Sequence, residues 1–179
     1  PTFIGSQIVT AAQSIVSRNA DPVEQIVMSI TSFETSSHAF NVIPQTVRMK
    51  GTVRTMNGAM RDLAEERLTK LVEGTAANFG ATGRINYMRN YPVTVNHPDQ
   101  TDFAADVAKR VAGDCAHAEL VMGGEDFAFM LEERPGAYIL MGNGASAALH
   151  HPEYNFDDEA IPAGCSWWAE IVEQRMPAA

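Results

Sequence analysis

"EQIVMSITSF" (residues 24–33) sets Ile26, Met28 and Ile30 against Val27, Ser29 and Thr31, and "TVRMKGTVRT" (residues 46–55) sets Val47, Met49 and Val53 against Arg48, Lys50 and Arg54. Side chains on a strand point alternately to opposite faces, so both stretches predict strands, the second with one solvated face. Between them "HAFNVIP" (38–44) ends in Pro44, which cannot donate to a ladder and so belongs in the connection or at a strand edge. Upstream, Ile4, Ile8, Val9, Ala12, Ile15 and Val16 recur at helical spacing and predict an amphipathic helix over residues 2–18. Downstream, Met60, Leu63, Ala64, Leu68, Leu71, Val72, Ala76 and Phe79 make one apolar stripe over residues 58–79, with Gly80 as the stop. "GRINYMRNYP" (83–92) predicts a further strand, with Ile85 and Tyr87 on one face and Pro92 closing it.

The order helix, strand, strand, helix, strand is that of a βαββαβ ferredoxin-like unit without its first strand. The expectation is therefore a strand upstream of Pro1, in a longer protein of which this chain is the later part. After Pro92 the polar "VTVNHPDQTD" (93–102) marks a boundary, which divides the chain into residues 1–93 and 94–179. The second part predicts helices at 101–112, 125–132 and 160–175, a short strand in "AELVMGG" (118–124), and a buried apolar strand in "GAYILMG" (136–142). Alternation of this kind fits the end of an α/β domain, and the fold class is accordingly α/β, or α+β.

Composition bounds the function. With 45% hydrophobic and 20% charged residues the chain is ordinary globular material. Its formal charge of -9 argues against nucleic acid and anionic membrane, both of which reward a basic face. Neither a membrane-length apolar run nor a basic-then-apolar leader is present, and localisation is expected to be cytoplasmic. Cys115 and Cys165 are too few for a disulfide framework or a zinc knuckle, and are expected to be reduced core residues. Trp167 and Trp168 are likewise expected in the core.

Two motifs carry chemistry. "MGGEDFAFMLEERPGAYILMGNG" (122–144) leads to "LHHPEYNFDDEAIPAG" (149–164). In this order they resemble the C-terminal signature of the M20 metallopeptidase and amidohydrolase family, within it the N-acyl amino acid, hippurate and auxin-conjugate hydrolases. "SQIVTAAQSIVSRNADP" (6–22) and "NVIPQTVRMKGTVRT" (41–55) extend the likeness over essentially the whole chain. The resemblance implies a ferredoxin-like lid that also dimerises, followed by the C-terminal segment of a zinc-exopeptidase-like α/β catalytic domain. It also implies two divalent ions, zinc or manganese, whose water is deprotonated by a glutamate and attacks the amide of an N-acyl amino acid. Most metal ligands, that glutamate and a lid histidine would precede Pro1, so these residues alone are expected to be inactive.

The same resemblance assigns residues. His150 aligns with the last metal ligand and His151 with a variable place; imidazole is a good ligand for either metal, and a following proline limits the loop. Gly123 and Gly124 would approach substrate while Glu125 supports the metal shell. The plain alternative is a turn in which the glycines take positive φ and Glu125 or Asp126 caps the next helix. Asn41 and Arg54 align with lid residues that reach substrate, and a guanidinium fork suits a carboxylate; otherwise they are a turn asparagine and a solvated arginine. His38, His97 and His117 match no family ligand and are read as surface or local structural residues. Alternative functions are a non-catalytic dimerisation or small-ligand module, and a carboxypeptidase or deacetylase of the same family.

Overall fold

The two alternating stretches pair with each other. In the computed structural model, which describes residues 1–176, β1 (Ile26–Thr35) and β2 (Val47–Thr55) form an antiparallel two-stranded sheet. Its register runs from Ile26 opposite Thr55 to Thr35 opposite Val47, with a bulge where Ile30 faces Gly51 and Ser32 faces Lys50. Gly51 is needed there: a Cβ on it would lie 2.4 Å from the Ser29 carbonyl oxygen.

The chain folds as two compact units. The first comprises Pro1–Val93 with Met122–Gly124, the second Thr94–Val121 with the chain from Glu125 onward. In the first, α1 (Thr2–Ser14) runs into a widened turn at Ile15–Asn19 and buries Ile8, Ala12 and Ile15. Ala12 and Ile15 meet Ile26 and Met28 of β1 and Ala64 of α2 (Gly58–Asn78) in one apolar cluster. Burial of a side chain such as Ile15 or Met28 is worth about 1.5–3 kcal/mol. Asn57 caps α2 by accepting the Met60 N–H at 2.9 Å. The other end closes as a Schellman motif: Gly80 takes φ 70°, its N–H donates to Ala77 O, and the Ala81 N–H donates to Ala76 O.

In the second unit α3 (Pro98–Ala112) starts on a proline and ends at Gly113 with φ 83°. It packs on α5 (Ile161–Arg175) through Ala104, Val107 and Trp167, whose indole N–H donates to Ala104 O at 3.1 Å. α4 (Phe127–Glu133) buries Ala128 and Leu131.

Three expected strands form no ladder. Residues 83–88 alternate in burial, with Ile85 and Tyr87 half-buried, while residues 88–91 are exposed, and Arg89 is tied to Asp62 and Glu65 of α2. Residues 118–121 are exposed throughout. Residues 136–142 are not a buried strand: Ala137 and Ile139 pack on the core while Leu140 and Met141 lie outward. A strand is defined by a partner backbone, and among the described residues none of these segments has one in register. Two core assignments also fail, since Cys165 and Trp168 are exposed on α5. Cys115 is half-buried, and both cysteines are free.

Candidate functional site

Arg54 lies near the end of β2, and its Nη1 donates to the Met122 carbonyl at 2.5 Å. Two stretches singled out separately in the sequence, 68 residues apart, thus meet inside the first unit. The arginine fixes the main chain that leads into Gly123 and Gly124, and no other hydrogen bond engages its fork among the described residues. Neither glycine has positive φ, which corrects the turn expected at this point. Gly124 serves space instead: a Cβ on it would lie 3.2 Å from the Tyr91 ring.

Asn41 sits in the β1–β2 connection. The hydroxyl of Ser36 closes the base of that connection by accepting the N–H groups of Gln45 and Thr46 at 3.0 and 3.1 Å. At its tip the Val42 N–H donates to Ala39 O, leaving Phe40 and Asn41 as the central turn residues. The Asn41 amide is exposed and has no hydrogen-bond partner among the described residues. It lines a hollow of about 470 Å³ whose other walls include Phe3, Phe40, Ile43 and Pro44. The hollow is open, and its walls Phe3, Phe40 and Ile43 are themselves exposed.

Glu125 belongs to the second unit and resolves the capping question. Its Oε1 accepts the Phe127 N–H at 3.3 Å, whereas Asp126 makes no side-chain cap to α4. Its Oε2 accepts the Tyr138 hydroxyl at 2.9 Å. The Phe127 N–H and then the Tyr138 hydroxyl hold this carboxyl below the ordinary carboxylate value, and the same bond pushes the Tyr138 phenol up. Tyr138 lay unnoticed in the sequence; its position in an apolar run concealed a polar partner thirteen residues away.

His150 occupies the turn closed by the His151 N–H to Ala148 O bond, at 3.0 Å. It has φ 69°, the one non-glycine residue with positive φ among those described. Its imidazole is exposed and without a hydrogen-bond partner among the described residues. His151 is spent locally, since its Nδ1 accepts the Glu153 N–H at 3.1 Å and thereby keeps the next turn in shape. His97 is structural but not local: it precedes α3 and its Nδ1 accepts the N–H of the distant Gly136 at 3.3 Å. No group of three or more His, Cys, Asp or Glu side chains among the described residues could hold a metal ion by itself. A free imidazole on a fixed turn nevertheless fits the role of one monodentate ligand in a larger set.

Known proteins resemble this chain along nearly its whole length. Hippurate hydrolase of Campylobacter jejuni is 37% identical over 176 residues, which cover 96% of this chain and 45% of that enzyme. N-acetylcysteine deacetylase of Bacillus subtilis is 34% identical over 172 residues, with the same coverage of each. The crystal structure of the Bacillus subtilis YxeP protein, a dinuclear metal-binding peptidase from the M20 family, superposes with a TM-score of 0.77 at 30% identity, over 98% of this chain and 46% of that one. The chain thus spans about 45% of the length of the curated relatives it matches. The model of peptidase family M20/M25/M40 matches residues 11–174, and the chain belongs to that family.

Proposed function

We propose that these residues are the later part of a metal-dependent amidohydrolase that cleaves the amide of N-acyl amino acids. Residues 1–93 act as a ferredoxin-like lid and residues 94–179 as the C-terminal part of the catalytic domain. The observation that carries the reading is the bond from Arg54 to Met122 O, which joins a cationic fork to the backbone of the two glycines. Arg54 binds the carboxylate of the amino acid by two charge-assisted hydrogen bonds, and the exposed Asn41 amide orients the substrate carbonyl. Gly123 and Gly124 let the main chain come close to substrate.

His150 is one ligand of a two-ion site, zinc or manganese, with the remaining ligands and the general base in sequence preceding Pro1. Such ions acidify a water and polarise a carbonyl when bound. Glu125, ionised and held by Tyr138, supports the surroundings of the ions. On this reading the segment alone does not hydrolyse substrate. A strand preceding α1 also explains the unpaired segment 83–92. In a split βαβ arrangement the first strand lies between the third and the fourth, so without it the fourth has no ladder. Phe40, Val42 and Ile43 expose apolar surface on the lid, which suits contact with a second copy.

A carboxypeptidase reading has its own support, because thermostable carboxypeptidase 2 of Saccharolobus solfataricus is 31% identical over 170 residues. The test is a panel of N-benzoyl and N-acetyl amino acids against carboxybenzoyl dipeptides, assayed with the whole protein before and after chelation. Metal-dependent cleavage of the acyl amino acids is expected, with KM raised at least tenfold in Arg54→Ala, the value of a charge-assisted bond of about 1.5–3 kcal/mol. Cleavage of the dipeptides alone would transfer the assignment to a peptidase, and hydrolysis indifferent to chelation would end it.

A further inference from the structure

The loop that carries His150 is closed by two side chains, of which Asn143 makes two of the three bonds. Asn143 Nδ2 donates to Asn155 O at 3.0 Å, and its Oδ1 accepts the Asp157 N–H at 2.8 Å. Ser146 Oγ adds a third contact by accepting the Asn155 N–H at 2.9 Å. The two limbs approach so closely that a Cβ on Gly144, which has φ 72°, would lie 3.0 Å from Asp157 Oδ2. Segment 143–157 is therefore an omega loop with its ends pinned together.

The pinned base is fastened to the core. Asp157 Oδ1 accepts the Glu159 N–H at 3.0 Å and opens the short turn Asp158–Ala160, which runs directly into α5. α5 is seated by buried Trp167. Position thus passes from the core through α5 and Asp157 to Asn143, and from there to the turn at which His150 takes its φ of 69°. Among the described residues no hydrogen bond from its own ring holds His150, so its placement rests on this loop.

We propose that Asn143 is the positioning residue for His150: its amide bridges both limbs of the loop and so fixes where the imidazole stands. This rests on the reading of His150 as a metal ligand. Asn143 touches neither substrate nor metal and acts only through the loop. An alanine in its place removes one donor and one acceptor, frees the limbs, and leaves His150 to find its orientation at the moment of binding. Groups hydrogen-bonded directly to a metal ligand typically contribute about 10–100-fold to metal affinity, and the lower end of that range is the effect expected of Asn143, which acts through the loop.

The test uses Co²⁺ as probe on the whole protein, with its visible absorption as a report on ligand geometry and amide hydrogen exchange as a report on the loop. Asn143→Ala is expected to weaken Co²⁺ binding at least tenfold and to speed exchange across residues 144–156, while α5 keeps native exchange. Ser146→Ala, which removes one contact only, is expected to give a smaller change in the same direction and serves if Asn143→Ala does not fold. His150→Ala runs in parallel. If it abolishes binding at one site while Asn143→Ala keeps native affinity, Asn143 is not the positioning residue and the ligand assignment stands. If His150→Ala itself keeps native affinity and spectrum, the ligand assignment falls and takes the role of Asn143 with it. Native exchange across the loop in Asn143→Ala would also overturn the proposal.

Discussion

His150 combines a left-handed backbone with a ring that has no partner among the described residues. Holding a non-glycine residue there costs about 1–2 kcal/mol. His150→Gly should therefore be at least as stable as His150→Ala by chemical denaturation, by up to about 1 kcal/mol once the extra freedom of glycine in the unfolded chain is counted. A less stable glycine variant would mean that the turn imposes no strain. Glu125 offers a second check. Its folded value is depressed below 4.5, so its stabilising contribution is present above that pH and is lost as pH falls through the folded value. Tyr138→Phe removes one of the two main donors and should move the Glu125 midpoint upward in a carboxyl-detected NMR titration; an unmoved midpoint would mean that the hydroxyl does not hold the carboxylate. The sequence made His150 and Glu125 visible through the likeness of their motifs to a known family. It left Asn143 and Tyr138 invisible, because their roles depend on main-chain groups and partners brought near only by folding.

At the scale of elements, helices were legible and unpaired strands were not. Helices carry their own hydrogen bonds and end signals, so Gly80 marks a stop that the structure keeps, whereas α3 begins at Pro98, ahead of the expected start at residue 101. β1 and β2 were legible because each supplies the other's partner. Residues 83–92 have the alternation of a strand and half-bury Ile85 and Tyr87, yet periodicity says nothing about whether a neighbouring backbone is present. The proposed preceding strand makes this testable by hydrogen exchange. Amides of 84–91 should exchange freely in a chain beginning at Pro1 and be protected in the whole protein. Equal exchange in both would remove the ferredoxin-like assignment of the first unit. The outward Leu140 and Met141 show the same limit, since an apolar run reads as buried whether or not its cover is there.

At the scale of the molecule, membership in peptidase family M20/M25/M40 accounts for the order of motifs over residues 11–174. The chain corresponds to about 45% of its curated relatives, and among the described residues no metal-holding cluster forms. On the proposed reading the exposed imidazole of His150 is one ligand among several, and the chemistry needs further ligands. None of the described helices is long and apolar enough to cross a membrane. The most direct measurement of the central claim is the metal content of the whole protein, determined by elemental mass spectrometry beside an N-acyl amino acid hydrolysis assay, for the native sequence and for His150→Ala. Two divalent ions in the native protein, with one ion and lost hydrolysis in His150→Ala, is the predicted result. Retention of both ions and of full activity by His150→Ala would contradict the account.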